Sequence, residues 1–167
     1  FTIEDQETLP DLFLYHPEYG RIQNPLDVGR KPLVLIFSYR SYYLAEHLDP
    51  INTLSEQLED NGILPITIMA LSYRDENMSK TILHLLESYH LSHPKLIINT
   101  TGFSIQSFNK TSEKGLFDWF NVPVIQGIMA SCNQQIWAEG SFGLPPTDVA
   151  MNIALPEVDG KIISTAI

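Results

Sequence analysis

One cysteine, Cys132, occurs in the 167 residues. A lone thiol excludes an internal disulfide framework and a Cys-x-x-Cys zinc or redox motif. It suits a reducing compartment, so a cytoplasmic location is expected. Bases are also scarce. Ten Lys and Arg stand against 20 Asp and Glu, a formal charge of −10. Nucleic-acid binding needs clustered cations to replace phosphate counterions, and docking on anionic lipid needs them too. Neither partner is expected. No apolar run approaches the ~18 residues that a membrane span requires. No basic-then-apolar leader opens the chain, and the first residue is Phe1. A piece of a longer protein is the expectation from that start.

What is present is a core-forming composition, 44% hydrophobic with a mean hydropathy of −0.03. Residues 1–30 read as an arm, broken by Pro10, Pro17, Pro25, Gly20 and Gly29, with Leu12 to Tyr15 as one short strand. From Lys31 the pattern changes. Leu33-Val34-Leu35-Ile36-Phe37 is apolar on both faces, as a covered parallel strand requires. A polar loop, 38–49, follows. Pro50 suits a first helical turn behind Asp49 as cap, Ile51, Leu54 and Leu58 recur at helical spacing, and Asn61-Gly62 ends the helix.

The unit then recurs. Leu64 to Ala70 is a strand, and Ile82, Leu83, Leu85, Leu86 and Tyr89 mark a helix capped by Asp75 or Ser79. Leu96-Ile97-Ile98 and Val122 to Met129 are further strands. Short helices are expected over 133–139 and 147–153, and a last strand over 161–164. Alternating strands and helices predict an α/β fold over 31–167, a mainly parallel sheet with flanking helices in a Rossmann-like or flavodoxin-like three-layer arrangement. Ligands collect at the carboxyl ends of such strands. That rule selects the loops 38–48, 72–78, 100–115 and 130–143, with 155–160 as a fifth.

The familiar α/β chemistries are missing. A phosphoacceptor receiver needs acids where this chain has Ser38-Tyr39-Arg40 and Asn99-Thr100. No G-x-G-x-x-G follows the first strand of the α/β unit, and no Walker A loop exists. Asn99-Thr100-Thr101-Gly102-Phe103-Ser104 could cradle a phosphate in a flavodoxin-like small-ligand module, or could be a glycine turn whose hydroxyls satisfy the backbone. His90 and His93 share metal-ligand spacing, but Pro94 makes them a helix end. His47 with Glu46 and Asp49 forms a polar cluster in the first loop, with solvated charges as the plainer reading. Ser131-Cys132 lacks the glycines of a nucleophile elbow. Met69, Met129 and Met151 read as core filling, and Leu116 to Phe120, including Trp119, as packing over the sheet or against absent chain.

The last third is more specific. Val122-Pro123-Val124-Ile125-Gln126 precedes Gln135-Ile136-Trp137, then Gly143-Leu144-Pro145-Pro146, Thr147-Asp148-Val149-Ala150 and Ala154-Leu155-Pro156-Glu157-Val158-Asp159-Gly160. This series resembles the large, tetrapyrrole-binding subunit of the ATP-dependent cobaltochelatases and magnesium chelatases, the cobalt type being nearer. Leu14-Tyr15-His16-Pro17, Phe37-Ser38-Tyr39-Arg40 and Asn99 to Phe103 match in the same order. The resemblance covers nearly all of this chain and a fraction of the family's subunit, which exceeds a thousand residues.

The resemblance implies insertion of a divalent metal, cobalt or magnesium, into a corrin-type or porphyrin ring, with cobalamin synthesis as the pathway. Separate AAA+ motor subunits would use the ATP, and the remaining domains of the large subunit would be partners. Insertion needs a group that strips water from the ion and accepts pyrrole protons, and a carboxylate can do both. Glu157, which the resemblance marks as the chemistry-bearing acid and metal ligand, is the first candidate. Asp159 assists, or caps its own turn. Arg40 suits a bidentate contact with a ring carboxylate, or a salt bridge to a neighbouring acid. Tyr39, Phe103 and Trp137 are candidates to stack on the macrocycle, and Gln126 marks a polar strand end. A non-catalytic interaction domain is the other alternative.

Overall fold

In the computed structural model, Leu33–Tyr39 forms the strand at the centre of a seven-stranded sheet. The structure describes residues 9–26, 29, 31–73, 77–102, 116–130, 135, 139 and 143–154, and the backbone of 162–166. The strands are β1 (Leu12–His16), β2 (Gly20–Ile22), β3 (Leu33–Tyr39), β4 (Leu64–Ala70), β5 (Leu96–Asn99), β6 (Val124–Ile128) and β7 (Ile162–Ala166). Their order is β2-β1-β4-β3-β5-β6-β7. The five strands from β3 onward are mutually parallel, and β1 pairs antiparallel with both β2 and β4.

The run from β4 through β7 has the flavodoxin order 2-1-3-4-5. This is the α/β sheet expected from the sequence. Residues 12–22, read from sequence as part of an arm, are two strands of the same sheet. Prolines at 10, 17 and 25 punctuate that segment. Between them, Leu12 to Tyr15 registers residue by residue against Ala70 to Thr67.

Both faces of β3 are covered, for opposite reasons of side-chain alternation. Leu35 and Phe37 pack with Ile66, Ile68, Ile82 and Leu86, the last two from α3 (Met78–Ser88). Val34 and Ile36 pack on the other face with Phe13, Tyr15 and Met69, and with Ile51 of α2 (Asp49–Asp60). Leu35, Ile36 and Phe37 are wholly excluded from water. Each such side chain contributes about 1.5–3 kcal/mol by burial. Phe117, in a 3₁₀ turn over Leu116–Trp119, meets Phe37 edge-on at 5.1 Å.

Helix ends follow local chemistry. Beyond α2, Gly62 adopts φ 75°, and the amides of Gly62 and Ile63 donate to the carbonyls of Glu59 and Leu58. Beyond α3, His90 takes the left-handed position at φ 60°, with Leu91 N–H donating to Leu86 O at 2.7 Å. His90 and His93 therefore do not share a helix face. The segment expected as a polar loop after β3 differs from expectation. Ser38 and Tyr39 remain in the strand, and Arg40–Leu44 forms a short helix, α1. Tyr43 anchors it, meeting Phe13 and Tyr15 edge-on at 5.1 and 5.7 Å. Near the carboxyl terminus, α4 (Pro146–Val149) continues directly into a π-helical turn, Ala150–Ala154.

Candidate functional site

Chain direction in the sheet reverses its lateral progress at β3. From there β4 lies to one side and β5 to the other. The crevice between the carboxyl ends of β3 and β5 is the position where open α/β sheets bind ligands. Here it is flanked by Tyr39 and Arg40 on one side and by Asn99 to Gly102 on the other. Tyr39 Oη donates to the carbonyl of Gly102 at 3.0 Å, spanning the crevice. Thr100 Oγ1 donates to Phe37 O at 2.8 Å, and Thr100 N–H donates to the same carbonyl.

Next to the crevice lies a buried amide network. Asn99 Nδ2 donates to Gln126 Oε1 at 2.7 Å and to Thr101 O at 3.1 Å. Gln126 Nε2 donates to Thr101 O at 2.9 Å, and Thr101 Oγ1 donates to Asn99 Oδ1 at 2.8 Å. All three side chains are shut off from water. In that setting each partner fixes the next. The hydroxyls of Thr100 and Thr101 are thus spent within the fold. Phe103 and Ser104, the rest of the candidate phosphate loop, lie outside the described residues.

Gly102 is where this loop meets the next element. A Cβ placed there would lie 3.4 Å from Asn152 Oδ1 and 3.5 Å from the carbonyl of Met151. The π-helical turn therefore packs directly on the loop after β5. Asn152 and Asp148 are both buried, while Val149 between them is exposed. Tyr42, in α1, lies within reach of the Asp148 charge. Burial first, and that charge second, hold its phenol above the usual tyrosine range. Tyr42, Asp148 and Asn152 were not among the site residues expected from the sequence. A polar residue on an amphipathic helix is expected to face out, and Asp148 and Asn152 are buried.

Arg40 is tied to the amino-terminal segment. Its Nη1 donates to Leu9 O at 2.9 Å, to Pro10 O at 3.1 Å and to Asp11 Oδ1 at 2.8 Å. The salt bridge to a neighbouring acid is the contact observed, although Nε is buried with no hydrogen-bond partner. Tyr39 and Gln126 thus lie at the β3–β5–β6 strand ends, while the Arg40 guanidinium turns to Leu9, Pro10 and Asp11 on the β4 side of β3. Glu157, Asp159, Phe103 and Trp137 lie outside the described residues. Glu46, His47 and Asp49 are exposed.

One group of potential metal ligands, His16, Glu18 and Glu59, occurs among the described residues, at the opposite, amino end of the parallel strands. Its geometry favours a clasp. Glu18 N–H donates to His16 Nδ1 at 3.2 Å, so Nε2 carries the ring proton and faces Glu59 Oε1 at 3.4 Å. Tyr19 stacks on the imidazole at 4.9 Å.

Among the described residues, no helix is long and apolar enough to cross a membrane. The family model described as CobN/Magnesium Chelatase matches residues 1–167. The aerobic cobaltochelatase subunit CobN of Pseudomonas aeruginosa is 32% identical over 168 residues, covering 98% of this chain. An uncharacterized protein of Methanocaldococcus jannaschii is 32% identical over 165 residues, covering 94%. This chain spans 13% of the length of each of these two relatives. Among solved structures, the catalytic subunit of cobaltochelatase from Mycobacterium tuberculosis superposes with a TM-score of 0.65 at 22% identity, over 95% of this chain and 13% of that one. That likeness carries the fold. With a family match from the first residue to the last, the chain belongs to the CobN/magnesium chelatase family.

Proposed function

We propose that this chain is one domain of a large chelatase subunit that inserts a divalent metal, cobalt in this reading, into a corrin-type tetrapyrrole during cobalamin synthesis in the cytoplasm. The single observation that carries the reading is the family match over residues 1–167. The sheet from β1 to β7 forms the α/β unit of that larger protein. ATP is hydrolysed by separate AAA+ motor subunits, and the remaining domains of the subunit complete the cleft.

The chemistry assigns roles by residue. Glu157 ligates the incoming ion as it sheds water and accepts a pyrrole proton, with Asp159 beside it. Tyr39, Phe103 and Trp137 offer flat surfaces to the ring, and Gln126 holds the polar strand end. Arg40, which spends Nη1 on the amino-terminal segment, turns to a ring carboxylate when that segment releases it. A corrin-type ring bears several carboxylates, and an acidic wall repels it. The charge of −10 therefore requires a positive opposite wall from elsewhere in the subunit. On this reading the isolated domain, mixed with motor subunits, ATP, metal and ring, yields no metallated product.

The test is metal insertion by the full-length subunit carrying Glu157→Gln, with tetrapyrrole binding measured separately. Lost insertion with retained binding supports the reading. Unchanged insertion would favour a non-catalytic interaction domain.

A further inference from the structure

Two large apolar side chains stand open at the carboxyl end of the parallel strands. Leu44, which ends α1, is 61% exposed, and Leu71, the first residue beyond β4, is 57% exposed. Hydrogen bonds join them into one surface. Leu71 N–H donates to Asp11 O at 2.8 Å, and Arg40 Nη1 donates to Asp11 Oδ1 at 2.8 Å. Arg40 and Leu44 lie four residues apart on α1, which makes them neighbours on one helix face. Pro10, also exposed, accepts from the same Nη1 at 3.1 Å through its carbonyl. The result is an apolar rim around an ion pair, on the β4 side of the crevice. Exposed leucines scattered singly need no explanation, whereas apolar side chains gathered beside a crevice mark a contact surface.

The path of the chain points to the occupant. The matched relatives are much longer than this domain, which spans 13% of each. Strand β1 runs antiparallel to β4, so residues 9–11 enter the sheet at this end. Strand β7 runs parallel to β6, so Ala166 closes it at this end too. In the order β4-β3-β5-β6-β7 the two flanks are four strand spacings apart, about 19 Å. Six extended residues cover about 20 Å. Chain outside residues 1–167 therefore starts within reach of the rim. Charge narrows the choice further. Asp11 is 71% exposed, and Glu46, two residues beyond Leu44, is exposed as well. A surface that complements them is basic.

We propose that the rim of Leu44, Leu71 and Pro10 is the seat of a basic, apolar-faced segment of the same subunit, outside residues 1–167, which closes the crevice on its β4 side. This rests on the reading above that the chain is one domain of a larger subunit, and it gives the opposite wall an anchor. Apolar side chains of that segment cover Leu44 and Leu71, and its cations face Asp11 and Glu46.

The experiment uses the full-length subunit. Leu44→Cys and Leu71→Cys are labelled with a maleimide, with Glu56→Cys at an exposed position of α2 as the reference, and peptide mass spectrometry reads each site separately. Each rate is divided by that of the same variant in urea, which removes differences in thiol reactivity. On that scale both rim positions are expected to label about 10-fold or more slowly than the reference, as a covered site requires. Equal ratios would overturn the proposal. In the wild-type subunit, carbodiimide coupling is expected to join Asp11 or Glu46 to a lysine outside residues 1–167. Coupling confined to these residues, or found only between light and heavy copies in an isotope mixture, overturns it. So does protection that appears only when tetrapyrrole or motor subunits are added. Neither readout needs turnover, so a wild-type subunit that metallates no ring overturns the chelatase reading and leaves the seat standing.

Discussion

Asn99 and Gln126, 27 residues apart, exchange a 2.7 Å hydrogen bond inside the sheet, where neither amide touches water. Replacing Gln126 with Leu keeps the bulk but removes the bonds to Asn99 and to Thr101 O, leaving the 3.1 Å bond from Asn99 Nδ2 to Thr101 O as the remainder. An unmet buried polar group costs about 1–3 kcal/mol. Urea unfolding of Gln126→Leu should show a lower midpoint with an unchanged slope. A wild-type midpoint would mean that the network is not a stabilising brace.

Gly102 sets a size limit on its position. Its missing Cβ would meet Asn152 Oδ1 at 3.4 Å, an ordinary contact distance. Gly102→Ala is expected to stay within about 0.5 kcal/mol of wild type. Gly102→Val forces the π-helical turn away from β5 and should cost about 1–3 kcal/mol as an overpacked site. Thermal unfolding of the two variants provides the comparison.

Arg40 has two candidate roles that one experiment separates. Arg40→Ala removes the contacts with Leu9, Pro10 and Asp11. Faster proteolysis at the amino-terminal hairpin, with tetrapyrrole binding retained in the full-length subunit, would assign the residue to the hairpin. Lost binding with a wild-type cleavage pattern would assign it to a ring carboxylate.

The sheet's middle was legible because each strand there carries its own signal. Leu33 to Phe37 and Leu64 to Ala70 are apolar on both faces, and Asn61-Gly62 punctuates the helix between them. The hairpin partner was not legible. Nothing local to Leu12–His16 names β4, because pairing across more than 50 residues is decided by which edge remains open. Gln126 was visible as a polar residue closing an apolar strand, yet its partner Asn99 depends on strand order. Asp148 was hidden for another reason. Hydrophobic periodicity puts Val149 inside, and only the packing of the loop after β5 on Asn152 turns the helix the other way.

His16 gives the clasp at the amino end a pH dependence. Burial, the largest influence, lowers its pKa below the ordinary 6.5, against the raising charges of Glu59 and Glu18, with Lys31 adding to the lowering. The unfolded chain therefore binds a proton that the folded chain refuses. Stability should be full above about pH 6.5, fall as the pH drops below it, and level off once the folded pKa is passed. Protonation also destroys the Nδ1 acceptor for Glu18 N–H. His16→Gln should flatten the fall in denaturation midpoint between neutral and mildly acidic pH. An equal fall in that variant would place the titrating group elsewhere.

The antiparallel strand β1 carries a consequence for biosynthesis. On the ribosome it emerges well before β4, the strand it must join, and β4 first needs β3 to lean on. Until residue 70 is clear of the exit, Phe13 and Tyr15 travel as an unclaimed apolar ribbon. The hairpin is then the last piece to seat on that flank of the sheet, although it is the first of the strands to be made.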